Sequence, residues 1–168
     1  MQLVTNYERA FAERPEVYAA WVALNTAIKA GMDLRRYELA TLAAAQRLRS
    51  SYCSLAHGSV LIERFGEPVR DIVVDRRAAG LDEVDLAVMD LAEKVVDDAT
   101  AIDEADLQPL RDLGLADAEI MDVVLAAAAR CFFSKTLDAL GVLPDARYRE
   151  LEPSLQAALV VGRPIAEA

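Results

Sequence analysis

Apolar residues recur at three- and four-residue intervals along nearly the whole chain, and strict apolar–polar alternation is scarce. Ala, Leu, Glu and Arg fill the intervening positions, and these residues favour helix. The pattern predicts a first long helix over 15–30, PEVYAAWVALNTAIKA, with Pro15 in its first turn and Gly31 as its C-terminal cap. Asp33 caps a second helix running to about Ser50. The serines of the SSY stretch compete with the helical ladder and predict a break there. A third helix carries CSLAHGSVLIERF and stops at Gly66, with Pro68 just beyond, and a short piece, VRDIVVD, follows. Asp82 begins a fourth helix to about Ala99, with Leu81 and Leu86 placed as a hydrophobic staple. Asp103 begins a fifth, with Ile102 and Leu107 in the same arrangement and Gly114 at its end. Asp117 starts a sixth that runs to Gly141, and the tail after Pro144 reads as one more helix ending near Gly162 and Pro164. Connections are short, and no linker, low-complexity tract or fixed-period repeat is visible. The chain therefore reads as one all-α domain, residues 1–168, with about six to eight helices.

Composition adds three constraints. Hydrophobic residues make up 54% of the chain, above the usual range of about 45–50%. Some of that surface is expected to lie between subunits of a homo-oligomer. The net charge of −10 and the pI near 4.6 argue against nucleic acid as a partner. In DLRRYE, Arg35 and Arg36 stand beside Asp33 and Glu38, which reads as a charge-balanced, solvated helix face. The most apolar stretch, IMDVVLAAAARCFF, is interrupted by Asp122 and Arg130, so it predicts a buried helix and not a membrane span. The first residues lack the order of a secretion signal, and two cysteines are too few for a disulfide scaffold. A cytoplasmic protein with reduced thiols is the expectation.

Candidate chemistry centres on SSYCSLAHG, residues 50–58, which holds the single histidine and one of the two cysteines. Cys53 and His57 are four apart, so on a helix they share a face. Cys53 also falls in the first turn, where amide dipoles favour an anion, and a neighbouring imidazole can take a thiol proton. Burial of both residues as ordinary core is the competing reading. Glu38 precedes an apolar run, Leu39 to Ala44, and stands about three turns from the predicted break, so its reach to His57 is open. Cys131, beside Phe132 and Phe133, reads as a core thiol or else as a resolving cysteine carried near Cys53 by the sixth helix. Arg130 projects into the same cleft or reaches solvent. Trp21, Ala20 and Leu24 suit a buried stripe or a subunit contact. The acidic runs DEVD, VDDA and DEAD read as caps and solvated faces. No phosphate loop appears and there is no second histidine for zinc, so neither a metal nor a cofactor is expected.

The segment YELATLAAAQRLRSSYCSLAHG resembles the core motif of the alkylhydroperoxidase D-like, or carboxymuconolactone decarboxylase, superfamily, in which a Glu precedes C-x-x-C-x-x-x-H. Cys53 and His57 match the second cysteine and the histidine, and Glu38, fifteen residues before Cys53, matches the glutamate. The later stretch LRDLGLADAEIMDVVLAAAARCFFSKTLDALGV resembles the second half, so the likeness spans roughly residues 15–145. One departure is plain: Ser50 occupies the position of the first cysteine. In peroxidase members that cysteine resolves the oxidised one. Ser50 can only hydrogen-bond a thiolate or relay a proton. Tyr52 stands where some members place another histidine, and its hydroxyl is a packing group or a donor to a bound oxyanion.

The resemblance implies an alkylhydroperoxidase D-like helical bundle, usually homo-oligomeric, and an antioxidant hydroperoxidase. Cys53 would attack a peroxide, His57 and Glu38 would move the proton, Ser50 would support the thiol, and an external thiol or Cys131 would restore it. A decarboxylase-type reading uses Glu38 and His57 for acid–base work on a small organic acid or lactone, with Cys53 a bystander. A third reading is a non-catalytic oligomeric member that keeps the pocket for packing or ligand binding.

Overall fold

The computed structural model describes residues 4–167, and among them every regular element is helical. The helices are α1 (Asn6–Ala10), α2 (Pro15–Gly31), α3 (Leu34–Arg47), α4 (Ser51–Phe65), α5 (Val69–Asp75), α6 (Glu83–Asp98), α7 (Glu104–Asp112), α8 (Asp117–Ala139) and α9 (Pro153–Leu159). Short 3₁₀ turns occupy Ala99–Ala101 and Ala146–Glu150. The expected all-α bundle is the observed one, with eight helices of seven or more residues and the short α1. No described helix is long and apolar enough to cross a membrane.

The predicted starts are made by the predicted caps. The Asp33 carboxylate accepts from the Arg36 amide at 3.0 Å, Asp82 from the Asp85 amide at 2.7 Å, and Asp103 from the Ala105 amide at 2.8 Å. Gly66, at φ +67°, closes α4 in the left-handed conformation. Two elements differ from expectation. Helix α1 was not anticipated; it is held by a capping box between Thr5 and Glu8. The tail is not one helix: Pro153 has no amide hydrogen and forces Glu152 out of helical ψ, so a 3₁₀ turn and the separate α9 form instead.

Helix α3 is the centre of the bundle. Its residues from Tyr37 to Ala45 are all buried, and it packs on α4, α6 and α8. Ala40, Ala43, Ala44 and Ala45 keep its surface low, so neighbouring helices approach closely. On α2 only Trp21 and Ile28 are buried, whereas Ala20 and Leu24 face outward, so of the predicted stripe only Trp21 is core within the chain. The DLRRYE cluster is also more than a solvated face. Asp85 of α6 is fully buried, and Arg35 and Arg36 reach it at 2.6 and 3.2 Å. A buried carboxylate requires such partners, and the arginine stems lie on the bundle while their heads stay partly wet.

The turn between α3 and α4 is clamped by the tail. Arg49 holds φ +57°, and Ser50 is extended with no side-chain cap bond. The Gly162 amide donates to Ser51 Oγ at 2.8 Å, and Arg49 Nε donates to the Val161 carbonyl at 3.2 Å. A Cβ on Gly162 would lie 2.0 Å from the Arg49 carbonyl oxygen, so the position accepts no larger residue without moving backbone. Gly162→Ala is expected to lower unfolding free energy by about 1–3 kcal/mol, the usual cost of overpacking, as read from urea midpoints.

Candidate active site

Helices α1, α2, α4 and α8 line a half-open cavity of about 270 Å³. Its polar end is formed by Cys53, His57, Arg130, Asn25 and Lys29, and its walls by Tyr7, Tyr18, Trp21, Val22, Ala56 and Phe133. A larger groove of about 470 Å³ over α6 and α7 is walled mainly by ion-paired side chains and holds neither a thiol nor the imidazole.

Cys53 sits in the first turn of α4 with 2% of its surface exposed, and His57 lies one turn on. The Glu38–His57 question resolves into contact: His57 Nδ1 is 2.5 Å from Glu38 Oε2. Lys29 Nζ is 3.5 Å from the other carboxylate oxygen and 4.7 Å from the centre of the Tyr37 ring. Burial pushes the His57 imidazole down to about 4, and the Arg130 charge pushes the same way, against the pull of Glu38. Burial pushes the Glu38 carboxyl up, but the hydrogen bond and charge of His57, with Lys29, hold it below its ordinary value. A doubly charged pair would satisfy Glu38 but would bury two ions, so carboxylate with neutral imidazole is the resting pair, and Lys29 supplies the counter-charge. An ionised carboxylate only accepts, so Nδ1 carries the proton and donates it. Nε2, without a protein hydrogen bond among the described residues, is then the basic nitrogen.

The remaining expected residues are placed differently from one another. Ser50 is fully buried, and its hydroxyl has no partner, the Cys53 sulfur included. The Tyr52 ring borders the cavity, but its hydroxyl donates to Asp145 Oδ2 at 2.5 Å and packs edge-on against Tyr7 and Tyr148. Cys131 does not line the cavity; it is half-buried, reduced, and pushed upward in pKa by burial. On one helix, successive residues point about 100° apart, so Arg130 enters the cavity and Cys131 does not. Arg130 Nη1 is 3.6 Å from Cys53 Sγ, and Nη2 donates to the Tyr37 hydroxyl at 3.3 Å. Tyr37 in turn donates to Asn25 Oδ1 at 2.6 Å. Lys29, Tyr37 and Asn25 escaped the sequence reading; the only signal was that Asn25 and Lys29 lie one turn apart on the Trp21 side of α2.

Residues 15–93 match the model of the carboxymuconolactone decarboxylase family, which includes Lys29, Glu38, Cys53 and His57 and ends before α8. No curated protein matches the chain. Among solved structures, the chain is similar to an alkylhydroperoxidase AhpD core, an uncharacterized peroxidase-related protein from Ralstonia eutropha JMP134. The two are 24% identical at a TM-score of 0.80, over 87% of this chain and 80% of that one. An uncharacterized peroxidase-related protein from Silicibacter sp. TM1040 is 25% identical at 0.80, over 88% and 80%. The resemblance read from the sequence is thus met over residues 15–93, and the later stretch is met as a likeness of fold.

The pair makes stability pH-dependent. Unfolded His57 takes up a proton near its ordinary 6.5, and folded His57 only near 4, so between those values the unfolded chain binds more protons and stability falls as pH falls. Glu38, lowered in the fold, adds stability that is present above its ordinary value and is lost as pH falls through the folded one. Urea midpoints should therefore drop steadily from pH 6.5 to 4, and His57→Gln should flatten that slope.

Proposed function

We propose that this chain, a relative of the carboxymuconolactone decarboxylase and alkylhydroperoxidase D-like proteins across residues 15–93, reduces peroxides through Cys53. The observation that carries the reading is the Glu38–His57 hydrogen bond, which orients the imidazole that lines the cavity beside the Cys53 thiol. The similar structures, both of peroxidase-related proteins, agree with it.

In this reading His57 Nε2 accepts the thiol proton, and the imidazolium formed is balanced by the Glu38 carboxylate. The thiolate attacks one peroxide oxygen and the O–O bond breaks. Sulfur takes that oxygen and becomes the sulfenic acid, two electrons pass to the peroxide, and the departing alkoxide leaves with the proton from His57. An external thiol then condenses with the sulfenic acid, releasing water, and a second thiol frees Cys53 as the small disulfide departs. This route suits a site with Ser50 where the family has its first cysteine and with Cys131 off the cavity. Association of copies is supported by the outward apolar side chains of α2 and α8, among them Leu24 and Phe132.

One observation favours a second reading. Lys29 and Arg130 give the cavity two cations, which fits a carboxylate substrate handled by Glu38 and His57 as acid and base. The two readings part on Cys53→Ser. Peroxidase chemistry predicts rapid dimedone-trapped sulfenic acid on Cys53 of the native chain, as read by intact mass after brief peroxide treatment, and no peroxide turnover in Cys53→Ser, whereas acid–base work on a carboxylate would survive that substitution. Glu38→Gln and His57→Asn should slow trapping by roughly 10²–10⁴-fold, the range of general acid–base assistance. If no peroxide, hydrogen or organic, oxidises Cys53 faster than a free thiol, the reading is wrong.

A further inference from the structure

Arg130 is the only buried arginine among the described residues, at 4% exposure, and no carboxylate lies within ion-pair distance of it. An unpaired cation in the interior is costly. Two aromatic faces offset part of that cost: the guanidinium carbon is 5.4 Å from the Trp21 ring centre and 5.5 Å from that of Phe133. Neither ring carries a full negative charge. Glu38 is committed to His57 and Lys29. What faces the guanidinium instead is the Cys53 sulfur, 3.6 Å from Nη1.

We infer that Arg130 is a further catalytic residue of this site, the counter-cation that holds the sulfur anion of Cys53 as it forms and attacks. This rests on the peroxidase reading of the same cavity. The orientation of the guanidinium is fixed from behind. The Tyr37 hydroxyl spends its own hydrogen on Asn25, so toward Arg130 Nη2 it can only accept, and this contact turns Nη1 toward sulfur. Sulfur also lies in the first turn of the fifteen-residue α4, whose amide dipoles act in the same sense. The other ionisable groups about the thiol are His57 on its own helix, Glu38 and Tyr37 of α3, Lys29 and Tyr18 of α2, Tyr7 of α1, and Tyr52 and Tyr148 beside it. Of these, Lys29 is the other fixed cation, and it is engaged with Glu38. Arg130 Nε is buried without a partner, which leaves one donor for an oxygen entering with the substrate. No atom or electron is added to the chemistry above: the thiol proton goes to His57, and Arg130 stays charged and unmodified throughout.

The test is made in Cys131→Ser protein, so that a single thiol reports. Iodoacetamide alkylation of Cys53 is followed by intact mass from pH 5 to 10, beside peroxide-driven dimedone trapping, for the parent, Arg130→Lys and Arg130→Met. Arg130→Met should alkylate about tenfold or more slowly at pH 7, one decade for each unit that the profile moves. It should approach the parent rate at the alkaline end, where the thiolate forms without help, and Arg130→Lys should fall between. A structural role alone would not move the pH profile. An unchanged profile in folded Arg130→Met overturns the inference. Should that variant fail to fold, Tyr37→Phe, which removes the hydroxyl that aims the guanidinium, and Arg130→Lys carry the test, and parent-like profiles in both overturn it. A profile that shifts as stated in a protein whose Cys53 gives no sulfenic acid with any peroxide would sink the peroxidase reading while the Arg130–Cys53 pairing stands.

Discussion

The hydrogen bond from His57 Nδ1 to Glu38 Oε2 is the contact on which the site depends. Glu38 is 1% exposed on the most enclosed helix of the bundle. A carboxylate there must be bonded on both oxygens or protonated. One oxygen takes the imidazole and the other takes Lys29, so three helices, α2, α3 and α4, are tied at one point. That single bond also fixes which ring nitrogen carries the proton and leaves the other one basic, on the ring that borders the cavity with Cys53. Removing either partner would strand a buried polar group, which is why structure and chemistry cannot be separated at these residues.

A second buried carboxylate shows what the first is not. Asp85 is met by two permanently charged guanidinium groups, Arg35 and Arg36, and no titratable partner faces it. That arrangement is inert: it locks α3 to α6 and offers nothing to a substrate. Glu38 has a neutral, exchangeable partner and a lysine at the cavity edge, and Arg130 across the cavity has no carboxylate at all. The same bundle therefore carries one balanced charge cluster in its wall and one unbalanced cluster in its cavity. Local departures from charge satisfaction are where function is found in otherwise consistent folds.

Much of the fold was legible because the signals were local. Asp33, Asp82 and Asp103 cap the helices that periodicity placed after them, and the SSY stretch breaks the chain where its serines suggested. The break itself is not made by those serines' capping bonds. It is made by Arg49 in a left-handed conformation and by a tail more than a hundred residues away, which no local pattern records. Cys53 and His57 share a face because four residues make a turn. Glu38 was placed by likeness alone, since the register of α3 on α4 depends on how the two helices cross. Arg130 was ambiguous for the same reason: periodicity gives a residue's angle on its helix, not which neighbour that angle meets. Asp85 read as a cap or a solvated residue because nothing in DEVD distinguishes the one acid that turns inward.

The clamp of Gly162 on the α3–α4 turn bears on the order in which the protein comes into being. Synthesis runs from the N-terminus, and domains gather their contacts as chain becomes available. The α3–α4 hairpin, with Glu38, Cys53 and His57 on it, leaves the ribosome well before α8 and the tail. Its guanidinium partner follows 77 residues after Cys53, and the amide that closes the turn comes 111 residues after Ser51. A nascent chain thus carries the thiol and imidazole long before it carries the charge and the closure that complete their surroundings. The constellation of thiol, imidazole and guanidinium belongs to the folded molecule, and a nascent one has the residues without the site.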